Sequence, residues 1–338
     1  MNIFNLFLLL YMGQTLGSVP YKGLYLSPYK IRDENLLNQL MVWADSGLIN
    51  TLVVDVKTDF GFLVYNSNIP LAKKIRANRG LINLKEFVKR IKSHGLRLIA
   101  RIVVFKDPYL AQYKDYGIRD IKRGGIWKDA AGNAWVDPYN EKVWEYNIEI
   151  AKEVLEAGFD EVQFDYVRFP TDGEVWNCLY PKYKKGKSKQ DAICGFLKKA
   201  REGIKKKIGV DVYGYAMWRV LLLEGQDIKR MGRYVDYICP MLYPSHFAPS
   251  FKRELNEFWR VYWIYYDSIK NGQALLNKTD TEIIPYIQGF DYKSPGFGPD
   301  YIYNQIRASL DAKAKGFFIW NIKGDYKPAF YALRWLKN

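Results

Sequence analysis

Residues 158–170 read Gly158-Phe159-Asp160-Glu161-Val162-Gln163-Phe164-Asp165-Tyr166-Val167-Arg168-Phe169-Pro170. A glycine that ends a helix is followed here by a short buried strand, and the strand finishes at Asp165. In a chain built from repeated strand–helix units, the C-terminal tips of the strands face the binding crevice. Asp165 is therefore the first candidate for a catalytic residue.

The same unit recurs along the chain, as a run rich in Val, Ile and Tyr followed by a polar loop and a segment of helical period. Strands are predicted at residues 21–27, 51–57, 96–105, 161–166, 211–215, 237–243, 283–289 and 316–321. Helices are predicted at residues 33–46, 84–94, 140–157, 191–207, 226–232, 251–270, 299–313 and 328–337. Capping rules agree, because Asp137-Pro138 is expected to open the third helix and Gly95 and Gly158 to close the second and third.

Eight such units predict an α/β fold, a (β/α)8 barrel with long βα loops, formed by residues 19–338 as one domain. Such a barrel typically needs about 250 residues, and the surplus falls in the loops at 58–81, 106–139 and 171–190, which are expected to wall a groove. A doubly wound open sheet is the alternative. No GxGxxG motif follows the first strand, where the chain reads Gly23-Leu24-Tyr25-Leu26-Ser27-Pro28, so no nucleotide cofactor is expected.

Composition sets further limits on the 338-residue chain. A hydrophobic content of 49% excludes disorder as its main state. Residues 1–18 carry no charged side chain and end in small residues, which predicts a signal peptide and a secreted or cell-envelope location. A retained anchor or a buried helix is the alternative for this segment.

The three cysteines, Cys178, Cys194 and Cys239, cannot all pair within one chain. A bridge between Cys178 and Cys194 is one possibility, and free thiols are the favoured one. No CxxC motif or Cys/His cluster indicates a metal site.

Positive charge is concentrated in residues 182–207, which hold eleven Lys or Arg against two acids, a surplus of nine charges in a chain of net charge +15. This segment is either a contact for an anionic polymer or an ordinary solvent-facing surface.

The predicted strand tips carry acids, amides, cationic groups and aromatic rings, which together suit sugar chemistry. Carboxylates transfer protons or act as nucleophiles, aromatic faces cover pyranose rings, and amides bind hydroxyls. We predict Asp165 as one catalytic carboxylate, with Asp55 or Asp291 as the second. The predicted substrate-binding residues are Lys57, Arg101, Arg168, Tyr215, Tyr243, His246, Gln288, Trp320 and Asn321.

Some of these residues also have a purely structural interpretation. Asp165 could be salt-bridged to Arg101 or Arg168 inside the barrel. Asp55 could pair with Lys57, and alternation along a strand predicts that both point into the site if either does. Asp137 is better explained as a helix cap than as a catalyst, and Trp320 could belong to the core.

The chain resembles a family of glycosyl hydrolases of (β/α)8 type, known mainly from bacterial sequences. The resemblance spans nearly the whole predicted domain, through Lys22-Gly23-Leu24-Tyr25-Leu26, Val54-Asp55-Val56-Lys57-Thr58-Asp59-Phe60-Gly61, Arg101-Ile102-Val103-Val104-Phe105, Trp135-Val136-Asp137-Pro138-Tyr139-Asn140, Gln163-Phe164-Asp165-Tyr166-Val167-Arg168-Phe169-Pro170 and Pro240-Met241-Leu242-Tyr243-Pro244-Ser245-His246. It implies cleavage of a glycosidic bond and a bacterial source.

A more distant likeness to chitinase-like barrels runs from Gly158-Phe159-Asp160 to Asp165, with Met241-Leu242-Tyr243 and Trp320 at later strand tips. Those enzymes carry a proton-donating glutamate where this chain has Val167, so their substrate-assisted chemistry is not implied.

Three functions follow from the sequence. The first is a glycoside hydrolase acting on a poly- or oligosaccharide with a carboxylate pair centred on Asp165. The alternative is a non-catalytic glycan-binding barrel at the cell envelope. The third is a polyanion binder that uses residues 182–207, whose affinity would fall steeply with salt.

Overall fold

Eight parallel strands form the centre of the molecule. The computed structural model describes residues 16–337, so the predicted signal peptide lies outside the described residues except for its last three. The strands are β1 Tyr21–Leu26, β2 Thr51–Lys57, β3 Arg97–Val103, β4 Glu161–Asp165, β5 Lys207–Tyr213, β6 Tyr237–Met241, β7 Tyr286–Gln288 and β8 Gly316–Trp320.

The strands pair in chain order from β1 to β6, β8 pairs with both β1 and β7, and β7 contacts β6 through Tyr286 and Met241. The sheet is thereby closed, which confirms the (β/α)8 barrel and excludes the open doubly wound sheet. A two-residue piece, Glu282–Ile283, also pairs with β6 just ahead of β7. The break falls at Pro285, which has no amide hydrogen to donate to a neighbouring strand.

The longer helices cover the outside of the barrel, and several of the helices begin at a side-chain cap. The helices are α1 Glu34–Asp45, α2 Pro70–Lys74, α3 Leu84–Lys92, α4 Pro108–Ala111, α5 Glu141–Glu156, α6 Lys189–Gly203, α7 Ile228–Met231, α8 Glu257–Leu275, α9 Pro299–Asp311 and α10 Lys327–Lys337. Asp33 and Asn83 accept hydrogen bonds from the first turns of α1 and α3, and Ser188 forms a reciprocal capping box with Asp191 at α6. None of the helices within residues 16–337 combines the length and apolar character that crossing a membrane requires.

Alternation along the strands creates two cores. Outward side chains such as Val54, Ile102 and Val210 pack against the helices, and inward side chains such as Val53 and Tyr286 pack with one another inside the barrel. Gly209 is needed in the interior layer, because a Cβ atom there would lie 2.1 Å from the ring of Tyr237.

The structure corrects some predicted boundaries. Helix α6 ends at Gly203 and β5 begins at Lys207, four residues before the predicted start, because residues 207–210 pair with Glu161–Phe164 of β4. Asn140 caps α5, whereas Asp137 accepts hydrogen bonds from the amide of Tyr139 in its own loop and from that of Lys182 in the loop after β4.

The long loops predicted at 58–81, 106–139 and 171–190 do follow β2, β3 and β4. The second and third are joined by a short antiparallel ladder between Arg119–Asp120 and Cys178–Leu179. All three cysteines are free, as favoured from the sequence.

Candidate active site at the carboxyl ends of the strands

A cavity of about 830 Å³ opens at the carboxyl ends of β3–β8. Its acidic lining residues are Asp165 on β4, Asp211 on β5 and Glu224 in the loop after β5. Rings from several strands form its walls, namely Tyr166, Tyr213, Tyr215, Tyr243, His246, Phe247, Tyr286, Phe290, Tyr292 and Trp320. An aromatic-walled cavity with a few convergent acids is typical of a sugar-binding site.

Arg101 holds the acids of this cavity together. Its Nη1 donates to Asp55 Oδ1 at 2.6 Å, and its Nε donates to Asp165 Oδ2 at 3.0 Å, with a second bond from Nη2 to the same oxygen. Asp211 Oδ2 lies 3.7 Å from Nε. The guanidinium is nearly buried, so these charge-assisted bonds fix the positions of the carboxyl groups.

Asp211 is an acid of the cavity lining whose pKa departs from that of an exposed carboxyl. Burial, and then the neighbouring charge of Asp165, raise the pKa of Asp211 well above its usual value. Neither of its oxygens receives a hydrogen bond from an N–H or O–H donor. The side chains of Asp211 and Asp165 are within hydrogen-bonding reach of each other, which is a further cause of the raised pKa of Asp211.

Asp55 lies behind this pair. It accepts a hydrogen bond from the hydroxyl of Tyr25 at 2.7 Å as well as the bond from Arg101, and it does not line the cavity. Burial raises the pKa of Asp55 to about 6, and Arg101 acts against that shift. These contacts fit a role for Asp55 in positioning Arg101, and they fit the role of a second catalytic acid less well.

The backbone at the tip of β4 is strained. Tyr166 has φ of 52°, a left-handed conformation that bulky residues rarely adopt, and its amide donates to Asp165 Oδ1 at 2.5 Å. The Tyr166 ring packs edge-on against Trp135, which holds the turn in place. Strain of this kind collects at functional sites.

Trp320, at the tip of β8, presents part of its ring to the cavity. The ring stacks on Tyr25 with centroids 3.6 Å apart, and the Arg101 guanidinium lies 4.9 Å from its centroid. The predicted sugar platform is thus placed beside the predicted carboxylate.

Several predicted site residues meet in the cavity and others do not. Those that line it are Asp165, Arg101, Arg168, Tyr215, Tyr243, His246 and Trp320. Asp165 is 6% exposed and lines the cavity, and Asp55 and Asp211 lie on the same Arg101 guanidinium.

Lys57 lies outside the site, which corrects its prediction as a substrate-binding residue. A β-bulge between Asp55 and Lys57 shifts the register with β3, so that Asp55 pairs with inward Arg101 but Lys57 pairs with outward Ile102. The Lys57 side chain is 0% exposed, bonds the Val103 carbonyl at 2.6 Å and forms an ion pair with Asp107 at 2.8 Å.

Asp291, Gln288 and Asn321 also lie outside the cavity lining. Asp291 is exposed and accepts a hydrogen bond from Ser294 within its own turn, so the structure does not support it as the partner of Asp165. Gln288 bonds the Ser245 amide and the carbonyls of the loop that follows β7. Asn321 bonds the carbonyls of Gly289 and Asp325. The two amides hold loops, because their polar atoms are taken up by backbone partners.

The Lys57–Asp107 pair yields a first prediction, concerning stability. Lys57→Met should lower the free energy of unfolding by about 3 kcal/mol, because Asp107 would then be a buried charge without its partner. Urea unfolding measures the change, and Lys57→Met with Asp107→Leu should recover part of the loss. A single variant as stable as the parent would contradict a structural role for the pair.

The sequence interpretation missed Asp211. The sequence predicted that the fifth strand begins at residue 211. Asp211 was therefore placed at the amino-terminal end of that strand, far from the cavity. The alternation of Ile208, Val210 and Val212 with Gly209 and Asp211 would have placed Asp211 inside the barrel. Tyr25 was missed as well, since a tyrosine inside a strand reads as core.

Comparisons with known proteins agree with this geometry. The model of a family described as "Putative glycosyl hydrolase domain" matches residues 23–326. No curated protein matches the chain. A hypothetical protein from Ruminiclostridium thermocellum is 37% identical over 56% of this chain and 97% of its own, with a TM-score of 0.52.

Two other solved structures share the fold at low identity. The PgaB (BpsB) glycoside hydrolase domain from Bordetella bronchiseptica is 14% identical, with a TM-score of 0.65 over 94% of this chain and 98% of its own. The spore cortex-lytic enzyme SleL from Bacillus cereus is 12% identical, with a TM-score of 0.52 over 94% of this chain and 74% of its own. Because the family model covers residues 23–326, nearly the whole barrel, the chain belongs to this glycosyl hydrolase family.

Proposed function

We propose that the chain hydrolyses a glycosidic bond in a poly- or oligosaccharide, with Asp165 as the carboxylate that acts at the anomeric carbon and Asp211 as the proton donor. The observation that carries the proposal is that Asp165 and Asp211 lie together beside the buried Arg101 guanidinium within the aromatic-walled cavity. A glycosidase needs one carboxyl that donates a proton, and burial raises the pKa of Asp211 in the direction that suits this role.

The chemistry balances with one water per bond cleaved. Asp211 gives its proton to the glycosidic oxygen as the bond from that oxygen to the anomeric carbon breaks. Asp165 either bonds that carbon, to be displaced later by water, or removes a proton from the attacking water. The water supplies the hydroxyl of the new reducing end, and its other proton returns the pair to its starting state.

The substrate must enter between the two acids. Catalytic carboxyls stand about 5 Å apart in retaining enzymes and about 6.5–9.5 Å apart in inverting ones, so Asp211 and Asp165 have to separate as the glycosidic oxygen enters between them. Arg101 keeps Asp165 in position through this exchange, since it is also anchored on Asp55.

The apolar segment at residues 1–18 supports action outside the cytoplasm, on a bacterial cell-envelope or external glycan. The acids and aromatic rings that line the cavity support a carbohydrate as the class of substrate.

The test is incubation of the purified chain with a panel of bacterial and plant polysaccharides, followed by measurement of new reducing ends. NMR of the first anomer formed then distinguishes retention from inversion. Saturable glycan binding with no new reducing ends on any substrate would contradict hydrolysis and favour the non-catalytic glycan-binding alternative.

Trp320 carries a prediction on affinity. Trp320→Ala should raise KM about tenfold, corresponding to about 1.4 kcal/mol, because it removes the ring expected to cover a sugar face. Steady-state kinetics measure the effect, with Trp335→Ala as the control, a tryptophan exposed on α10 away from the cavity. An unchanged KM in the Trp320 variant would remove this ring from the substrate contacts.

A further inference from the structure

Arg168 occupies an unusual place on the cavity wall. It follows β4 by three residues and is half-buried. Its guanidinium carbon lies 4.9 Å from the ring centroid of Trp135, 4.9 Å from that of Tyr166 and 4.7 Å from that of Tyr213. Three rings therefore hold one cation at a fixed position on the wall of the cavity that Asp165 also lines.

This cation has no acidic partner in the protein. No Asp or Glu oxygen within residues 16–337 lies closer than 4.0 Å to its nitrogens, and its protein hydrogen bond runs from Nη1 to the Phe169 carbonyl at 3.2 Å. Arg101, in the same cavity, is paired with acids. An arginine carries five N–H donors, so most of the Arg168 donors remain for a ligand.

A half-buried charge without a counter-ion is costly unless the ligand supplies the opposite charge. The planar fork of arginine matches the two oxygens of a carboxylate or sulfate and binds them by two parallel bonds. A neutral sugar hydroxyl would use only one donor and would leave the charge uncompensated.

The charges nearby are compatible with an anion. The pKa of Asp211 is raised by burial and Asp165 is paired with Arg101, while Glu224 lines the same cavity but has no carboxylate oxygen within 4.0 Å of an Arg168 nitrogen. Lys189 lies next to this wall, with its Nζ bonded to the Leu223 carbonyl at 2.8 Å.

Further positive charge beyond Arg168 lies in residues 182–207. Lys185 and Lys187, in the loop before α6, are exposed and form no ion pair with an acid of the described chain. Other cations of residues 182–207 are paired, such as Lys182 with Asp115 and Arg201 with Asp236. The unpaired lysines can attract the rest of a polyanionic chain toward the cavity.

We infer that Arg168 binds an anionic substituent, the carboxylate of a uronic acid or a sulfate ester, on a sugar next to the cleaved bond. The substrate is then an acidic polysaccharide. This inference rests on the proposed function and specifies its substrate class.

The experiment measures binding rather than turnover. Glucuronate, glucose 6-sulfate and glucose are titrated into the Asp165→Asn protein, with Trp fluorescence or calorimetry as the readout. At least one of the two anionic sugars is expected to bind about tenfold or more tightly than glucose, and the stronger of them identifies the substituent. Higher salt should weaken anion binding and leave glucose unaffected.

Arg168→Gln in the same background should abolish the preference for the anionic sugar. Arg219→Gln is the matched control, because Arg219 is exposed beside Tyr215 but does not line the cavity, and it should keep the preference. Melting temperatures establish that both variants are folded, and the salt dependence tests the inference without any further substitution.

Equal affinity for glucose and both anions, or a preference that survives in Arg168→Gln, would overturn the inference. Either result would leave the proposed hydrolysis intact if neutral glycans are cleaved. Tight anion binding that depends on Arg168, in a chain that cleaves nothing, would instead support this site and remove the proposed hydrolysis.

Discussion

Asp165→Asn is expected to reduce turnover about 10⁴-fold while the chain stays folded. Asparagine has the same shape as aspartate, and its single oxygen can keep the bonds that Asp165 Oδ2 accepts from Arg101, whereas the bond that Oδ1 accepts from the Tyr166 amide is lost. It has no negative charge to attack the anomeric carbon or to activate water, so the chemical step is lost.

Initial rates on the best substrate of the polysaccharide panel measure this loss, and thermal unfolding measures the stability of the variant. Asp291→Asn is the matched control at the same end of the barrel, because Asp291 is an exposed acid outside the cavity lining. It should retain full activity. Normal turnover by the Asp165 variant, or an equal loss in the Asp291 variant, would show that the catalytic carboxylate lies elsewhere.

Asp211→Asn is expected to reduce turnover about 10³-fold and to change the pH profile. Because burial raises the pKa of Asp211 well above its usual value, the acid keeps its proton to a higher pH than an exposed carboxyl does and loses it as the pH rises through the raised value. The parent should therefore lose activity on the alkaline side, and the variant should lack this limb. A nitrophenyl glycoside needs less protonation of its leaving group, so its defect should be smaller.

Glu224 is the other acid of the cavity lining that could donate the proton, and the variant Glu224→Gln distinguishes its role from that of Asp211. The Gln variant should keep the alkaline limb. If Glu224→Gln abolishes the limb and Asp211→Asn leaves it in place, Glu224 is the proton donor and the role given to Asp211 is wrong.

The stability of Asp211→Asn follows from the same protonation. A raised carboxyl pKa means that the folded chain binds the proton more tightly than the unfolded chain. The free energy of unfolding therefore falls as the pH rises from the pKa of Asp211 in the unfolded chain to its raised pKa in the folded chain. Asparagine is neutral and keeps a donor toward Asp165, so the variant should lack this part of the pH dependence. Urea unfolding at several pH values compares the two proteins.

The sequence was most informative about elements whose signal is local. The apolar runs at 51–57 and 316–320 and the capped, periodic segment at 141–156 formed the expected strands and helix. It was less informative where a boundary depends on a partner strand. The run at Lys207 reads as the continuation of a charged helix, and only pairing with Glu161 makes it the start of β5.

The residues of the candidate site also divide into those that a local sequence signal predicted and those whose position depends on pairing or on a turn. Asp165 could be found because it ends a buried strand, and Trp320 because it stands at a strand tip. Lys57 was misplaced because a bulge in the pairing of β2 with β3 reverses the alternation after Asp55. Asp291 was misplaced because the chain after β7 turns outward into its own hydrogen-bonded loop.

The sequence by itself determined the eight strand–helix units and the place of Asp165 at the tip of a strand, because periodicity, caps and strand tips are written in neighbouring residues. Only the tertiary structure brought Asp211 into contact with Asp165 and joined Asp55 and Asp165 through Arg101. The two residues of each of these contacts lie 46 to 64 residues apart along the chain, and the register of adjacent strands in a closed barrel decides which of them meet.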